Sequence, residues 1–317
     1  MPTGLSPREA VVIGVDGGAT KTVGVLAGVC GPPLRRVEVG PTNAHSAGDS
    51  VVRANLATLL RALVPDDAAR GAVRAMVLGL AGAGRPADAT RLISLAREVG
   101  APGDVIVTTD ARVALTGATL GEPGIIVIAG TGSMSYGRDD DGVEARAGGW
   151  GHMLDDAGSA YAIGIAGLRA LVRQVDHRAS PTELAGPLLA ALGATTVDEV
   201  VPWVATAEKA VVAALAPAIL GLAEAGDSAA ASIVSEAAGH LVALATATAR
   251  QLRLSAGASV VLTGGLIDGD DAYRQRVISG LARALPLFRY APSQAEPAWG
   301  AVLLAREQVQ GGANHAD

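Results

Sequence analysis

Runs of β-forming residues alternate with helix-like stretches along the first third of the chain. In the helix-like stretches, apolar side chains recur every three or four residues, as on one face of a helix. In the other stretches they form short runs bounded by turn residues, which is typical of strands. A hairpin is predicted over 11–28, further strands over 34–39, 73–80 and 105–107, and helices over 49–63, 86–99 and 111–118. Alternation of strands and helices favours a sheet with parallel crossovers.

The pattern of residues 11–28, in which a small polar turn joins two strands, recurs at 125–138. A later strand ends in glycines in each half as well, at 77–82 and at 260–266. Two halves with the same order of elements predict an internally duplicated α/β protein, with a cleft between the halves.

The second half of the chain is mostly helical and rich in alanine. Strands are predicted at 124–129, 134–138, 143–147 and 287–290, and helices at 159–175, 181–225, 228–252, 270–284 and 297–308. We assign residues 1–113 to an N-terminal domain and 114–296 to a C-terminal domain with a helical insert at 181–225. The last helix, about 297–310, is a candidate to pack back on the N-terminal domain. Charged residues of the insert, Lys209 among them, are expected on solvated faces.

Composition narrows the class of protein. Hydrophobic residues make up 50% of the chain and the mean hydropathy is +0.35, but only 3% of residues are aromatic. The longest apolar run, 211–223, is too short to cross a bilayer. The net charge of −6, with no basic block, argues against nucleic acid as a partner. The single cysteine, Cys30, excludes an internal disulfide and fits a reducing compartment. We therefore expect a cytoplasmic protein that binds neither membrane nor nucleic acid.

The tip of the first hairpin is the first candidate site. Glycines at 17 and 18 can adopt positive φ and let the backbone approach a ligand, so the N–H groups of 18–20 can cradle a phosphate. Asp16, at the strand end, can hold a hydrated magnesium ion. An ordinary glycine turn with a capping aspartate is the alternative. The second hairpin, with its turn at 130–133, favours the phosphate site, because two such hairpins can grip a polyphosphate from both sides.

Three other polar stretches each allow two interpretations. Asp110 follows a strand and precedes a helix, so it is either the helix N-cap or a general base at the carboxyl end of a strand, where open α/β sheets bind ligands. Asn43 is either a turn residue or a hydrogen-bonding residue for a polar ligand. The acidic run 139–142 lacks the spacing of a calcium loop and indicates a hairpin turn.

The densest motif is the stretch Gly-Gly-Trp-Gly-His-Met-Leu-Asp-Asp-Ala-Gly-Ser-Ala at 148–160. Its glycines expose backbone beside the indole of Trp150, and two carboxylates follow just before a helix. Capping explains one carboxylate but not the glycines. A carboxylate that accepts hydrogen bonds from hydroxyl groups, beside backbone donors, suits a sugar. His152 has no second histidine nearby, so a packing role is favoured over a metal or catalytic role.

These motifs resemble those of the N-acetylglucosamine kinases in the BadF/BadG/BcrA/BcrD-type ATPase family, which belongs to the actin, Hsp70 and sugar-kinase superfamily. The motifs occur in the same order, and the similarity extends over about residues 11–305. They are Asp-Gly-Gly-Ala-Thr-Lys at 16–21, Thr-Thr-Asp-Ala at 108–111, Ala-Gly-Thr-Gly-Ser at 129–133, the stretch at 148–160 and Leu-Thr-Gly-Gly-Leu at 262–266.

The resemblance implies an α/β fold of duplicated RNase H-like domains, as in actin-like ATPases, with ATP and Mg²⁺ in a central cleft. Asp16 would orient the hydrated Mg²⁺, and Asp110 would accept the hydroxyl proton. The implied ATP-binding residues are Gly17, Gly18, Thr20 and Lys21 on one side of the phosphates, Thr131, Gly132 and Ser133 on the other, and Gly264 and Gly265 under the adenosine. The implied sugar-binding residues are Asn43, Asp110, Gly149, Trp150, Gly151 and Asp156.

Two departures from the family pattern concern the sugar. Where the family has Gly-Asp-Glu-Gly, this chain has Asp-Asp-Ala-Gly at 155–158, so Asp156 matches by position and Asp155 is extra. The stretch after Leu78 reads Gly-Leu-Ala-Gly-Ala-Gly, without the serine that many relatives use near the sugar.

The activity implied by the resemblance is ATP-dependent phosphorylation of an amino sugar, N-acetylglucosamine or glucosamine, at the 6-hydroxyl. One alternative is an ATPase activator of a 2-hydroxyacyl-CoA dehydratase, which bridges an iron–sulfur cluster between subunits and needs more cysteines than Cys30. Another is a non-catalytic sugar sensor that has kept the fold. The expected partner is a small-molecule amino sugar, and a homodimer is left open.

Overall fold

The structure is a computed structural model that describes residues 10–313, without the side chains of His45 and residues 312 and 313. The chain folds into two compact units. The first unit comprises the chain up to Glu122 together with the segment from Ser293 onward, and the second comprises Pro123–Pro292. Each unit is built around a five-stranded sheet.

The first unit begins with an antiparallel meander of three strands, to which two parallel strands are added. Its strands are β1 (Val11–Gly17), β2 (Thr22–Gly28), β3 (Pro33–Val39), β4 (Val73–Leu80) and β5 (Asp104–Thr109). Its helices before residue 122 are α1 (Ala44–Ala47), α2 (Asp49–Leu63), α3 (Asp67–Ala72), α4 (Pro86–Glu98) and α5 (Asp110–Thr119). The strand order across the sheet is β3-β2-β1-β4-β5.

The second unit contains the remaining strands and most of the helices. Its strands are β6 (Gly124–Ala129), β7 (Ser133–Arg138), β8 (Glu144–Gly148), β9 (Ser259–Thr263) and β10 (Arg289–Ala291). Its helices are α6 (Ala160–Val175), α7 (Ala185–Leu192), α8 (Val200–Thr206), α9 (Lys209–Ala213), α10 (Ala216–Glu224), α11 (Ser228–Arg250), α12 (Gly265–Gly269) and α13 (Asp271–Ala284). The last helix, α14 (Pro297–Ala313), belongs to the first unit.

The two sheets have the same topology. The second sheet has the order β8-β7-β6-β9-β10, with an antiparallel meander of β6, β7 and β8 and with β9 and β10 parallel to β6. Thus β6 corresponds to β1, and β9 corresponds to β4. The internal duplication predicted from the repeated hairpin pattern is confirmed.

Helices cover both faces of the first sheet. Because successive strand residues point to opposite faces, neighbouring residues of β1 enter different apolar clusters. Ile13 packs with the buried stripe of α2, which includes Leu56 and Leu60. Val12 packs with Val302 of α14, and α14 also lies against α5. The carboxyl ends of β1, β4 and β5 are thereby held at one edge of the first unit.

By length and composition, α11 could cross a bilayer, and so could the bent pair formed by α7 and the segment 197–206. In the structure, Val234, Leu241 and Ala245 of α11 are buried in the apolar core of the second unit. These residues form one apolar face of α11, which contributes to the core of the second unit.

Several element boundaries differ from the sequence prediction, among them those of the edge strand and of the helical insert. The edge strand is 289–291 rather than 287–290. The predicted helical insert is divided into the short helices α7 to α10, because residues such as Gly193, with φ +67°, end a helix in the left-handed region. The predicted turn after β7 is confirmed, since the Asp139 carboxylate accepts hydrogen bonds from the backbone N–H groups of Asp141 and Val143.

Candidate functional site

The first hairpin joins β1 to β2, and its glycines have a different role from the predicted one. Gly17 and Gly18 do not have positive φ, so that expectation is wrong. A side chain at Gly17 would instead collide with Thr42 Oγ1. The Gly18 N–H donates to the carbonyl of Lys21 at 3.0 Å, so it serves the turn itself. Of the three N–H groups predicted to bind a phosphate, those at 19 and 20 remain available.

Asn43 lies beside this hairpin. The backbone N–H groups of Thr42 and Asn43 both donate to the carbonyl of Gly18 at 3.2 Å. The buried hydroxyl groups of Thr42 and Thr22 are 2.8 Å apart and share a hydrogen bond. The loop after β3 is therefore fixed to the hairpin. Asn43, which is predicted to bind the sugar, thus lies next to the N–H groups that are predicted to bind phosphate.

Asp16 and Asp110 lie at the same edge of the first sheet. Asp16 pairs with Gly79 of β4, and Gly79 pairs with Thr108 of β5, so the three strands end in register. Thr109 is the N-cap of α5, because its hydroxyl accepts the N–H of Arg112 at 3.2 Å. The alternative in which Asp110 is the N-cap is therefore wrong. The Asp110 carboxylate accepts the N–H of Ala111 at 2.9 Å.

The electrostatic surroundings of these carboxyl groups are unfavourable to charge. Burial first, and then the negative charges of Asp110 and Glu296, raise the pKa of Asp16 from 3.8 to about 7, and Lys21 opposes the shift. Burial also raises the pKa of Asp110, although backbone hydrogen bonds oppose this. A cation beside Asp16 would remove much of the cost of its charge.

Glu296 is a residue that sequence reasoning missed. It precedes Pro297 at the start of α14 and accepts a hydrogen bond from Arg36 Nε at 3.1 Å. Its position after a long helical region gives no signal of proximity to Asp16. Only the return of α14 to the first unit brings the two carboxylates into electrostatic contact.

Asp16 fits a hydrated magnesium ion. Its carboxylate accepts no hydrogen bond from residues 10–313, and within the same range no group of three or more His, Cys, Asp and Glu residues could hold a metal ion. Magnesium keeps several of its waters and commonly binds one or two carboxylates together with substrate phosphates. One buried carboxylate beside backbone N–H groups that are predicted to bind phosphate matches that type of site.

The second hairpin joins β6 to β7 and is bonded to the glycine-rich loop. The Gly130 N–H donates to the carbonyl of Gly132 at 2.9 Å, as Gly18 does within the first turn. Ser133 donates twice to the loop, through its N–H to Asp156 Oδ1 at 3.2 Å and through its hydroxyl to the carbonyl of Ala157 at 2.7 Å. Thus Thr131 and Gly132 form the tip of the hairpin, and Ser133 connects the tip to the loop.

The glycines at 264 and 265 also lie beside the second hairpin. Gly264 has φ +109°, and a Cβ there would lie 2.5 Å from the carbonyl oxygen of Ala129 at the end of β6. A Cβ at Gly130 would lie 3.5 Å from the N atom of Gly265. The close approach of these two backbones requires glycine at 264 and leaves no side chain over the start of α12.

The loop at 148–158 has an unusual backbone. Gly148, Gly149 and Gly151 have positive φ, and so does Asp156, with φ +64°. The Trp150 side chain is 65% exposed and stacks against the Arg146 guanidinium at 4.8 Å. These glycines are therefore needed for the turns of the loop, and its indole is presented to solvent.

His152 packs edge-on against Tyr161, with the ring centroids 5.0 Å apart. This contact agrees with the packing role predicted for His152. Asp155 and His152 line a cavity of about 620 Å³, with Tyr161 and Arg169 of α6 on its wall. Asp156 faces the second hairpin instead, so the two adjacent carboxylates have different surroundings.

Asp156 is buried and forms an ion pair that sequence reasoning missed. Its Oδ2 atom lies 2.6 Å from Nζ of Lys209, and its side chain is 4% exposed. Lys209 was expected on a solvated face of the insert; that expectation is wrong, because its side chain is only 31% exposed and is held by Asp156. The partners are separated by 53 residues, and no pattern in the sequence connects them.

Residues 13–305 match the model of the BadF/BadG/BcrA/BcrD ATPase family. The chain belongs to this family. The resemblance found through the sequence motifs is thus confirmed, and the family matches nearly the whole described chain.

Two curated relatives of this family member are sugar kinases. An N-acetylmuramic acid/N-acetylglucosamine kinase from Clostridium acetobutylicum is 32% identical over 302 residues, which cover 94% of this chain and 98% of that protein. An N-acetyl-D-glucosamine kinase from Dictyostelium discoideum is 30% identical over 312 residues, with the same coverage of 94% and 98%.

Solved structures confirm the fold class. A candidate N-acetylglucosamine kinase from Chromobacterium violaceum has a TM-score of 0.73 and 28% identity, with 94% of this chain and 99% of that chain covered. A ROK family glucokinase from Streptomyces griseus, at 19% identity, has a TM-score of 0.60 with 95% and 100% covered, which shows a shared fold. The duplicated, actin-like ATPase fold predicted for this chain is therefore confirmed.

Proposed function

We propose that this protein phosphorylates N-acetylglucosamine at the 6-hydroxyl with ATP as the phosphate donor. The observation that carries the proposal is the position of Asp110. Its carboxylate is at the carboxyl edge of the first sheet, beside Asp16, and Thr109 caps the helix in its place. A buried carboxylate that is not the N-cap of its helix suits a general base.

The class of enzyme rests on the family and the relatives. The chain is an ATP-dependent sugar kinase, because it belongs to an ATPase family and both curated relatives, matched over nearly their whole length, are kinases of amino sugars. Both names include N-acetylglucosamine, which is why we choose this sugar. Glucosamine, a cytoplasmic location and a homodimer stay predictions.

Phosphoryl transfer requires mainly positioning and neutralisation of charge. In the first unit, we assign Asp110 to accept the proton of the attacking hydroxyl group and Asn43 to bind the sugar. The backbone N–H groups at 19 and 20 and the Lys21 side chain bind phosphate oxygens, since the N–H of Gly18 is used within the turn. Asp16 holds hydrated Mg²⁺, which when bound offsets the negative charge of the phosphates. The raised pKa of Asp110 makes it a stronger base than an exposed aspartate.

In the second unit, we assign the backbone of Thr131 and Gly132 to the phosphates. Gly264 and Gly265 leave a flat backbone surface beside this hairpin, which suits the adenosine. Gly149, Trp150, Gly151 and Asp156 are assigned to the sugar. Buried Asp156 can accept a hydroxyl hydrogen bond through lone pairs that its contacts to Ser133 and Lys209 leave free.

The two alternatives have less support. A cluster with four cysteine ligands shared by two subunits needs two cysteines from each, and this chain has only Cys30. A non-catalytic sensor has no need of a buried carboxylate at Asp110 that lies next to Asp16 and is not the helix N-cap.

A coupled assay of ADP release tests the proposal. We expect Mg²⁺-dependent turnover with N-acetylglucosamine, tested beside glucose, glucosamine, N-acetylmannosamine and N-acetylmuramic acid. Phosphorus-31 NMR of the product should show coupling to the protons on C6, and the 6-deoxy analogue should give no turnover. ADP release that does not depend on any sugar would contradict the proposal, and so would a product phosphorylated at C1.

A further inference from the structure

Lysine is nearly absent from this chain. The sequence has 25 lysines and arginines, and only Lys21 and Lys209 are lysines. Lys21 is at the tip of the first hairpin. Lys209 is far from the second hairpin in sequence but is close to it in the structure. All the other residues of this group are arginines, and each of the two lysine ammonium groups lies at one of the two hairpins.

Lys209 lies at the start of α9 in the helical insert. Its Nζ atom is 2.6 Å from Asp156 Oδ2. A Cβ built on Gly132 would be 3.0 Å from this Nζ atom and 2.9 Å from Asp156 Oδ1. The ammonium group is therefore beside the backbone of the second hairpin, and the absence of a side chain at Gly132 leaves room for it.

Hydrogen-bond donors from the lysine and from the backbone lie close together at the tip of the second hairpin. Within residues 10–313, the only hydrogen bond of Lys209 Nζ is to Asp156, so two of its three N–H groups stay available. The N–H groups of Thr131 and Gly132 form no hydrogen bond outside the strand ladder in the same range. An anion bound at the hairpin tip would meet backbone donors and an ammonium group together.

Asp156 holds the ammonium group in place. Its backbone is in the left-handed region, at φ +64°, which costs free energy for a residue with a side chain. Its carboxylate is fixed by the N–H of Ser133 at 3.2 Å. A buried ion pair is weak evidence for a purely stabilising role, since apolar side chains of similar volume do as well or better.

We propose that Lys209 binds the terminal phosphate of ATP at the second hairpin and that Asp156 positions it. This proposal rests on the proposed kinase function. Lys209 contacts both the hairpin assigned to phosphate and the carboxylate assigned to the sugar, so the phosphate it meets is the one nearest the sugar. Its compact ammonium group acts as a point charge on the transferred phosphoryl group.

Binding of nucleotides to Lys209→Met and Lys209→Arg tests this by calorimetry without sugar. We expect Lys209→Met to lose about 10-fold or more in affinity for a non-hydrolysable ATP analogue and less than about 3-fold for ADP, as for a lost charge-assisted hydrogen bond. Its kcat should fall by about 10²-fold, and Lys209→Arg should recover part of both. Equal losses for the analogue and ADP, or no loss, would overturn the proposal.

Two further variants separate this role from folding. Lys209→Met leaves Asp156 buried without its partner, whereas Asp156→Asn combined with Lys209→Met removes both charges. The double variant should regain thermal stability but keep the selective loss of affinity for the ATP analogue. If its affinities for the analogue and for ADP both return to those of the wild type, Lys209 is structural. Arg178→Met, which removes an exposed positive charge from the same unit, should match the wild type.

The low lysine content allows a direct readout. Incorporation of lysine labelled with ¹³C at Cε keeps all three N–H groups and gives lysine NMR signals only from Lys21 and Lys209; Lys209→Arg assigns the second signal. We expect the ATP analogue to shift the Lys209 signal more than ADP does. An unchanged signal at saturation would refute the contact. Failure of the wild type to phosphorylate any sugar would refute the kinase proposal instead.

Discussion

The two hairpins share a backbone topology but obtain their charged groups in different ways. In the first, Asp16 and Lys21 are on the hairpin itself. In the second, the carboxylate of Asp156 comes from the loop after β8, and the ammonium group of Lys209 comes from the helical insert. Duplication has thus repeated the fold and not the chemistry, and the ammonium group at the second hairpin comes from a helical insert that the first unit does not have.

The largest expected effect in this comparison is on the first unit. Asp110→Asn removes the proposed base, and loss of a general base lowers kcat by about 10² to 10⁴-fold. Binding of ATP and of the sugar should change little, because the amide fills the same volume. Rates of single turnovers together with calorimetry measure both. Asp104→Asn, at the exposed amino end of β5, the strand that precedes Asp110, is the matched control. Near-normal turnover by Asp110→Asn would remove this base assignment.

The next prediction is that the negative charge of Asp16 lowers the free energy of unfolding of the protein. Its pKa is about 7 in the folded protein, against 3.8 for an unperturbed aspartate. The folded state therefore holds an extra proton between these values, and stability falls as the pH rises through this window. Without ligands, Asp16→Asn should be more stable than the wild type above pH 7, by up to about 4 kcal/mol.

Urea unfolding at pH 5 and pH 8 measures this difference, which should be smaller at pH 5. Adding Mg²⁺ and an ATP analogue should stabilise the wild type more than Asp16→Asn, because the variant lacks the carboxylate for the ion. The control Asp104→Asn should follow the wild type in both respects. Equal stability of Asp16→Asn and the wild type at pH 8 would show that the charge of Asp16 carries no cost.

The next effect concerns the second unit. Asp156→Ala should weaken binding of N-acetylglucosamine by about 10 to 100-fold, since hydrogen bonds to a charged group contribute about 1.5 to 3 kcal/mol. Asp155→Ala is the matched control, because that side chain lines the neighbouring cavity, and its sugar affinity should stay close to that of the wild type. Calorimetry decides between them. Loss in Asp155→Ala alone would exchange the roles of the two carboxylates.

The contrast between the hairpins also explains what could be predicted from sequence. Apolar periodicity and glycine turns are local signals, so both sheets and the group around Asp16 were accessible. The position of Lys209 could not be predicted in this way, because its partner Asp156 is 53 residues away in the sequence. Glu296 was hidden in the same way by the return of α14. The role of Gly17 was misjudged because its neighbour, Thr42, is brought there only by the fold.

The smallest effect tests the choice between Thr109 and Asp110 as the cap of α5. Thr109→Ala should destabilise the protein by about 1 kcal/mol, the usual cost of a lost N-cap, and Thr109→Ser should restore most of it. Asp110→Asn should cost no stability, since burial disfavours the charge that it removes. Urea unfolding of the three variants compares them. If Asp110→Asn were as destabilising as Thr109→Ala, the Asp110 carboxylate would have a structural duty, and a loss of turnover in that variant would no longer identify a base.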